Sequence, residues 1–133
     1  MKALYTTLRT RIETECPSIK WVRLFNNQFD KSNADEGNEQ AFPYPCVFIE
    51  FPSDNPMTSS GAGAKRLQVV VRVHIGFVSY KLEDTTIFDV AEEVQIALEN
   101  YSTDGITPLT YLAQNMDYNH DNVYIYSFDF ETI

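Results

Sequence analysis

The chain has 133 residues, of which 44% are hydrophobic and 14% aromatic, and its 19 acidic and 10 basic residues give a net charge of −9. This length predicts one compact domain over residues 1–133, and the apolar content argues against disorder. The negative charge argues against a general binder of nucleic acids or anionic membranes, because both need a basic surface.

The first third of the sequence predicts a helix, a strand and a polar loop. Four residues recur on one helical face: Leu4, Tyr5, Leu8 and Ile12. Pro17 ends this helix, since proline disfavours helical geometry in the residue before it. Trp21–Phe25 is rich in strand formers, and Asn26–Gln40 has the polar composition of a loop.

The middle of the sequence predicts two longer strands. Cys46–Phe51 follows a proline-rich approach, and those prolines must lie at its margin because they lack a ladder donor. Pro52–Ala64 predicts an extended hairpin or a flexible loop. In Leu67–Phe77 the odd positions are apolar, whereas Gln68, Arg72 and His74 mark the other face. That alternation predicts an antiparallel sheet with one buried face.

The last part predicts a second helix and a closing strand. Six residues form the apolar stripe of a helix over Thr85–Tyr101: Ile87, Val90, Ala91, Val94, Leu98 and Tyr101. Gly105–Asn122 is turn-rich, and Leu109–Leu112 within it fits either a strand or a helical turn. Val123–Phe130 is the closing strand, and we expect the aromatic residues on one of its faces to pack under a helix. The predicted fold class is α+β, a mainly antiparallel sheet with two helices packed on one face and a long hairpin or loop arm.

The acidic residues are unevenly placed along the chain. Residues 1–81 contain 10 basic and 8 acidic side chains, a net charge of +2, whereas residues 82–133 contain no basic and 11 acidic side chains. Chance and the demands of solubility are one explanation. The other is that the C-terminal part gives the folded molecule a strongly negative surface.

No catalytic, metal-binding or cofactor-binding signature is found. His74 is expected to be a half-buried, hydrogen-bonded strand residue. Asp117, His120 and Asp121 could hold a divalent ion, but turns accumulate such residues for conformational reasons. We therefore predict no catalytic residue, no metal site and no cofactor.

Two cysteines and one glycine-rich segment have structural explanations. Cys16 and Cys46 are too few for a zinc site or a disulfide framework and are expected to pack as small apolar residues. Gly61–Gly63 lacks the strand, helix and lysine of a phosphate-binding loop and is expected at a flexible tip.

The order of elements resembles the tail terminator (tail completion) proteins of long-tailed bacteriophages and their head–tail connector relatives. The resemblance spans nearly the whole chain. It rests on the opening helix that ends at Cys16–Ile19, the Trp21 strand, the proline-led strand Phe42–Glu50, a Gly/Ser loop, the strand Leu67–Phe77, the helix Thr85–Tyr101 and the aromatic closing strand.

The resemblance implies a non-enzymatic virion protein of the neck or tail, made in the host cytoplasm during assembly. Such proteins form a ring, typically hexameric, that caps the tail tube and joins it to the head connector while DNA passes through the lumen. The expected partners are copies of the chain, tail tube and head–tail connector proteins, and DNA only as a passing neighbour; no membrane is implied.

Two sets of residues carry our hypotheses about this ring. An acidic lumen would repel the DNA backbone and let it slide. The candidate lumen-lining residues are Asp89, Glu92, Glu93, Asp129 and Glu131. A head-to-tail interface needs protruding elements. The candidate interface residues are Pro52, Met57, Gly61, Gly63, Phe88 and Ile96.

Two alternatives of other classes stay open. The chain could be an acidic DNA mimic that occupies the basic groove of a nuclease, which requires carboxylates spaced like phosphates on one surface. It could also be a small metal-dependent enzyme that uses Asp117, His120 and Asp121.

Overall fold

The computed structural model describes residues 2–26, 43, 45–58, 65–78, 86–103, 107–120 and 123–132. The elements in chain order are α1 (Lys2–Glu15), β1 (Trp21–Leu24), β2 (Cys46–Thr58), β3 (Lys65–Val78), α2 (Thr86–Leu98), β4 (Thr110–His120) and β5 (Val123–Thr132). The strands form one five-stranded sheet in the order β1-β2-β3-β5-β4. Only the β1–β2 pair is parallel among these strands, so the predicted α+β class is confirmed.

Both helices pack on the same face of the sheet, which we call the core face. Alternate residues of β3 are fully buried there, including Val71, Val73 and Ile75. One apolar cluster joins these residues to both helices; it includes Leu8 and Ile12 of α1 and Val90, Val94 and Leu98 of α2. The apolar helix faces predicted from the 3.6-residue period and the apolar strand face predicted from the two-residue period thus pack together in one core.

A residue with left-handed backbone geometry follows the end of the second helix. Asn100 has a backbone φ of 63°, in the left-handed region that asparagine tolerates better than most residues. Its N–H donates to the Leu109 carbonyl at 2.8 Å, and the Leu109 N–H donates to the Tyr101 carbonyl at 3.1 Å. These bonds tie the end of α2 to the start of β4.

Arg11 joins the two helices. Its Nε donates to the Ala97 carbonyl at 2.9 Å, and its guanidinium lies 4.4 Å from the centre of the Tyr101 ring. One cation therefore satisfies a carbonyl near the end of α2 and packs on an aromatic ring.

The strand β2 is longer than predicted. It continues through Pro52 and Pro56 to Thr58, with an irregular register between Glu50 and Ser53. β1 pairs only with Cys46–Ile49, so both prolines lie where one side of β2 needs no donor. The predicted hairpin is confirmed.

The segment predicted as turn-rich contains a strand. β4 pairs with β5 from Thr110↔Glu131 to His120↔Val123, with irregular registers after Tyr111 and Asp117. The sequence Gln114–His120 is polar because β4 is an edge strand whose side chains are largely exposed where the structure describes them. Its pairing with β5 overrides its weak local preference for strand.

Candidate functional site

The surface opposite the helices, which we call the outer face, brings residues of three strands together, most of them polar. Phe48, His74 and Ser127 lie side by side across β2, β3 and β5. The next row contains Glu50, Arg72 and Asp129. Strand register alone creates this cluster, since its members are up to 79 positions apart in the sequence.

A chain of hydrogen bonds runs through His74. Its Nε2 lies 2.7 Å from Glu50 Oε1, and its Nδ1 lies 3.1 Å from Ser127 Oγ. An ionised carboxylate can only accept, so the neutral ring donates from Nε2 and accepts the Ser127 hydroxyl at Nδ1. The Phe25 ring stacks on the imidazole with 4.2 Å between ring centres. His74 is therefore the half-buried, hydrogen-bonded residue that the sequence predicted.

Burial determines the charge state of His74. It lowers the pKa of His74 below its ordinary value, and the positive charge of Arg72 acts in the same direction. The hydrogen bond to Glu50 opposes this shift without reversing it. The ring is therefore neutral at pH 7.

Arg72 and Asp129 form a two-point ion pair on the same face. Arg72 Nε donates to Asp129 Oδ1 at 2.7 Å, and its Nη2 donates to Oδ2 at 3.1 Å. The hydrogen bond to Asp129 raises the pKa of Arg72 above its ordinary value. This planar geometry orients both side chains, and it neutralises one of the carboxylates proposed for the lumen.

Glu50, His74 and Ser127 are the residue types of a hydrolytic triad, but their setting is that of a structural network. β3 and β5 each lie between two paired strands, so their backbone N–H groups are committed to the sheet. A serine nucleophile needs free N–H groups to stabilise an oxyanion, whereas Ser127 lies between two paired strands of the described sheet. The network holds three strands in register. The sequence contained no local signal for it, because only the strand pairing brings its members together.

The proposed lumen carboxylates occupy opposite sides of the molecule. Asp89 and Glu92 are exposed on α2, over the core face, whereas Asp129 and Glu131 lie on the outer face. Glu93 is half-buried and accepts hydrogen bonds from the Ser18 N–H at 3.3 Å and the Ser18 hydroxyl at 3.2 Å. A single flat surface, such as the wall of a lumen, can therefore contain the exposed carboxylates of α2 or those of β5, but not both.

An open groove of about 310 Å³ separates α2 from the β4 side of the sheet. Tyr126 and Phe128 form part of its floor, and the Tyr126 hydroxyl donates to Gln114 at 2.9 Å. Phe88 and Ile96 line its α2 wall, 55% and 68% exposed. The Phe88 ring meets the Tyr126 ring edge-on at 6.3 Å between centres. Both predicted interface residues on α2 thus belong to one groove.

The β2–β3 hairpin extends past the rest of the sheet. Its two strands pair as far as Thr58↔Lys65. In the described sheet, β5 pairs with β3 only from Val69 onward, and β1 pairs with β2 only as far as Ile49. We call residues 55–58 and 65–68 the arm. Of the candidate interface residues in this region, Pro52 is exposed and Met57 lies in β2, while Gly61 and Gly63 lie outside the described residues.

The two cysteines are buried and free, as predicted for packing residues. Burial raises the pKa of the Cys16 thiol to about 12, and the charge of Glu93 adds to the effect. Burial also raises the pKa of Cys46. Neither thiol is therefore a ready nucleophile.

The candidate metal cluster is only partly described. Asp117 and His120 lie in β4, and Asp121 lies outside the described residues. Within the described part of the chain, no group of three or more His, Cys, Asp or Glu side chains is placed to hold a metal ion. Neither described helix is long and apolar enough to cross a membrane.

Comparison with known proteins gives a match in structure but none in sequence. No protein-family model matches the chain, and no curated protein matches it. Nineteen chains of solved structures match its fold. One of them belongs to the virion of a native gene transfer agent particle, with a TM-score of 0.53 and 11% identity over 94% of this chain and 81% of that chain. The two chains share a fold.

Proposed function

We propose that the protein is a structural component of a phage-type virion, where it forms a ring that ends the tail tube and joins it to the head connector. The observation that carries this proposal is the shared fold with a chain of a gene transfer agent virion, which extends over 94% of the protein. A match over almost the whole chain favours a common architecture more than a common small motif.

The described surfaces fit an assembly role. A two-stranded arm protrudes from the sheet, and large apolar side chains of α2 are exposed beside an open groove. Exposed apolar patches in soluble proteins mark interaction sites. A heterologous contact between two different surfaces generates a ring when the rotation between neighbours closes.

We further propose that DNA passes through this ring, and that the lumen is lined from the α2 side. Asp89 and Glu92 are exposed there, whereas Asp129 is neutralised by Arg72 on the other face. Exposed carboxylates repel phosphates, so DNA would pass without binding. In this arrangement Asp129 and Glu131 face away from the lumen.

Size-exclusion chromatography with light scattering tests the ring. We expect a closed particle, typically of six subunits, that does not retain DNA at physiological salt. A strict monomer at all concentrations would contradict self-assembly.

The same preparation tests the acidic DNA mimic, which the exposed carboxylates of α2 make the second candidate. A mimic would remain a monomer or small oligomer and would inhibit a nuclease in competition with DNA. The ring proposal expects no such inhibition.

A further inference from the structure

The groove beside α2 is a surface that the described residues leave open. Four large apolar side chains are exposed among the described residues, and two of them, Phe88 and Ile96, line this groove. A third, Leu112, lies on the neighbouring strand β4 and is 47% exposed. Covering Phe88 and Ile96 would remove apolar surface from water, which favours association.

The strand β4 that borders this groove is an edge strand. It is the last strand of the described sheet, so no described strand pairs with its outer side. An edge of eleven residues offers N–H and C=O groups to an incoming strand. An occupant that carries a strand of its own could therefore contact apolar side chains and backbone at the same place.

The arm has the complementary properties. Within the described strands, each of its two strands pairs only with the other, and such an isolated two-stranded hairpin is marginally stable in water. The sequence places Lys65 and Arg66 consecutively at the start of β3, in register with Thr58 and Met57. The arm contains no acidic residue, so its net charge is positive.

The rim of the groove has the opposite charge. Glu99 lines it near the C-terminal end of α2, and the structure shows no basic residue among its described lining side chains. Glu99 is exposed and accepts a hydrogen bond from Gln95, which leaves its charge available to a cation. Basic residues on the arm and acidic residues on the groove can steer two copies toward one register.

We propose that the arm of one copy packs into the groove between α2 and β4 of the next copy. This inference rests on the proposed ring and identifies the two surfaces that form its repeating contact. Arm and groove are different parts of the chain, so the contact is head-to-tail, and each copy offers one arm and one groove. The partner is a second copy of this chain, because both complementary surfaces belong to the same sequence.

Directed cross-linking tests the contact. One preparation carries Arg66→Cys on the arm, the other carries Ile96→Cys in the groove, and the two are mixed with a bismaleimide. The native thiols are buried and have raised pKa values, so the new thiols react first. We expect a covalent dimer in the mixture at a yield about tenfold above either variant alone, since association places the two positions together.

A matched control replaces the groove position with another exposed one. Lys20→Cys introduces a thiol between α1 and β1, away from the groove lining. Cross-linking of Arg66→Cys to Lys20→Cys at the same yield would overturn the proposal. Unchanged circular dichroism of each variant confirms that it is folded.

Charge exchange gives a second, independent readout. Lys65→Glu in the arm preparation should lower the cross-linking yield about tenfold, and Glu99→Lys in the groove preparation should restore it. Lys2→Glu, an exposed charge reversal on α1, should leave the yield unchanged. The charge pairing is contradicted if Lys65→Glu does not lower the cross-linking yield, or if Glu99→Lys does not restore it.

The outcomes separate this contact from the proposed function. A ring by light scattering without the specific cross-link would overturn the contact and leave the ring. A specific cross-link in a protein that virions do not need would leave the contact and overturn the neck role.

Discussion

The two faces of the sheet are built from the same strands but are stabilised in different ways. On the core face, Val73 and Phe128 pair across β3 and β5, and apolar side chains of both helices cover them. On the outer face, the neighbouring residues His74 and Ser127 also pair, but they meet through a hydrogen bond. Moving one residue along a strand therefore changes the dominant interaction from hydrophobic burial to polar pairing.

This contrast also separates stability from function. The core face is covered by α1 and α2, so its side chains stabilise the fold and are not available to a partner. The exposed α2 surface, the groove and the arm are not needed to complete that core. They are the surfaces that the proposed assembly would use.

The largest expected effect comes from breaking the core face. Phe128→Ala removes a side chain that is 1% exposed and should lower the free energy of unfolding by about 3–5 kcal/mol. The adjacent Ser127→Ala removes a hydroxyl from the outer face and should cost about 1 kcal/mol. Urea unfolding of both variants measures the difference. Equal losses would contradict the contrast between the faces.

The ion pair on the outer face should contribute less than a core residue. Arg72 and Asp129 are 37% and 23% exposed, so solvent screens their attraction. Arg72→Met should lower the free energy of unfolding by about 1 kcal/mol or less.

A double-mutant cycle with Asp129→Asn isolates the coupling between the two side chains. The coupling should weaken in high salt. A coupling as large as the Phe128→Ala loss would show that the outer face carries the stability.

His74 gives a smaller, pH-dependent effect. Its pKa is lowered in the folded state, so the unfolded chain binds the proton more readily near pH 6.5, the ordinary value of a histidine. The free energy of unfolding should therefore fall as the pH drops through that region and should be recovered above it.

The matched comparison for this effect is His74→Gln, which retains His120 and removes only the titration of residue 74. The variant should lose less stability than the native chain on acidification. Parallel pH profiles for the two proteins would be inconsistent with a lowered pKa at His74.

The smallest expected effect concerns the cysteines. In the folded protein, Cys16 and Cys46 should react with a maleimide much more slowly than free cysteine at pH 8, because burial holds both thiols protonated and inaccessible. In denaturant both should react at the ordinary rate. Rapid labelling of the native protein would contradict their burial.

Much of the fold could be predicted from the sequence because the core face imposes periodic patterns. The two-residue period of β3 and the 3.6-residue period of α2 each require a continuous apolar face. They located both elements to within three residues of their described ends. The burial of Phe128 and Phe130 beneath the helices followed from the same reasoning.

The edge strand and the outer face could not be predicted in this way. β4 has few strand formers, and only its pairing with β5 specifies it. The network of Glu50, His74 and Ser127 depends on the register of three strands, which no local pattern encodes. The acidic residues were correctly identified as a C-terminal excess, but the sequence could not show that α2 and β5 place them on opposite sides.

Electron microscopy of particles made with and without this protein tests the central claim most directly. We predict that, without it, heads and tails accumulate unjoined or tails lose their normal length, and that adding the protein restores complete particles. Normal tails of normal length joined to heads in its absence would contradict the proposed role.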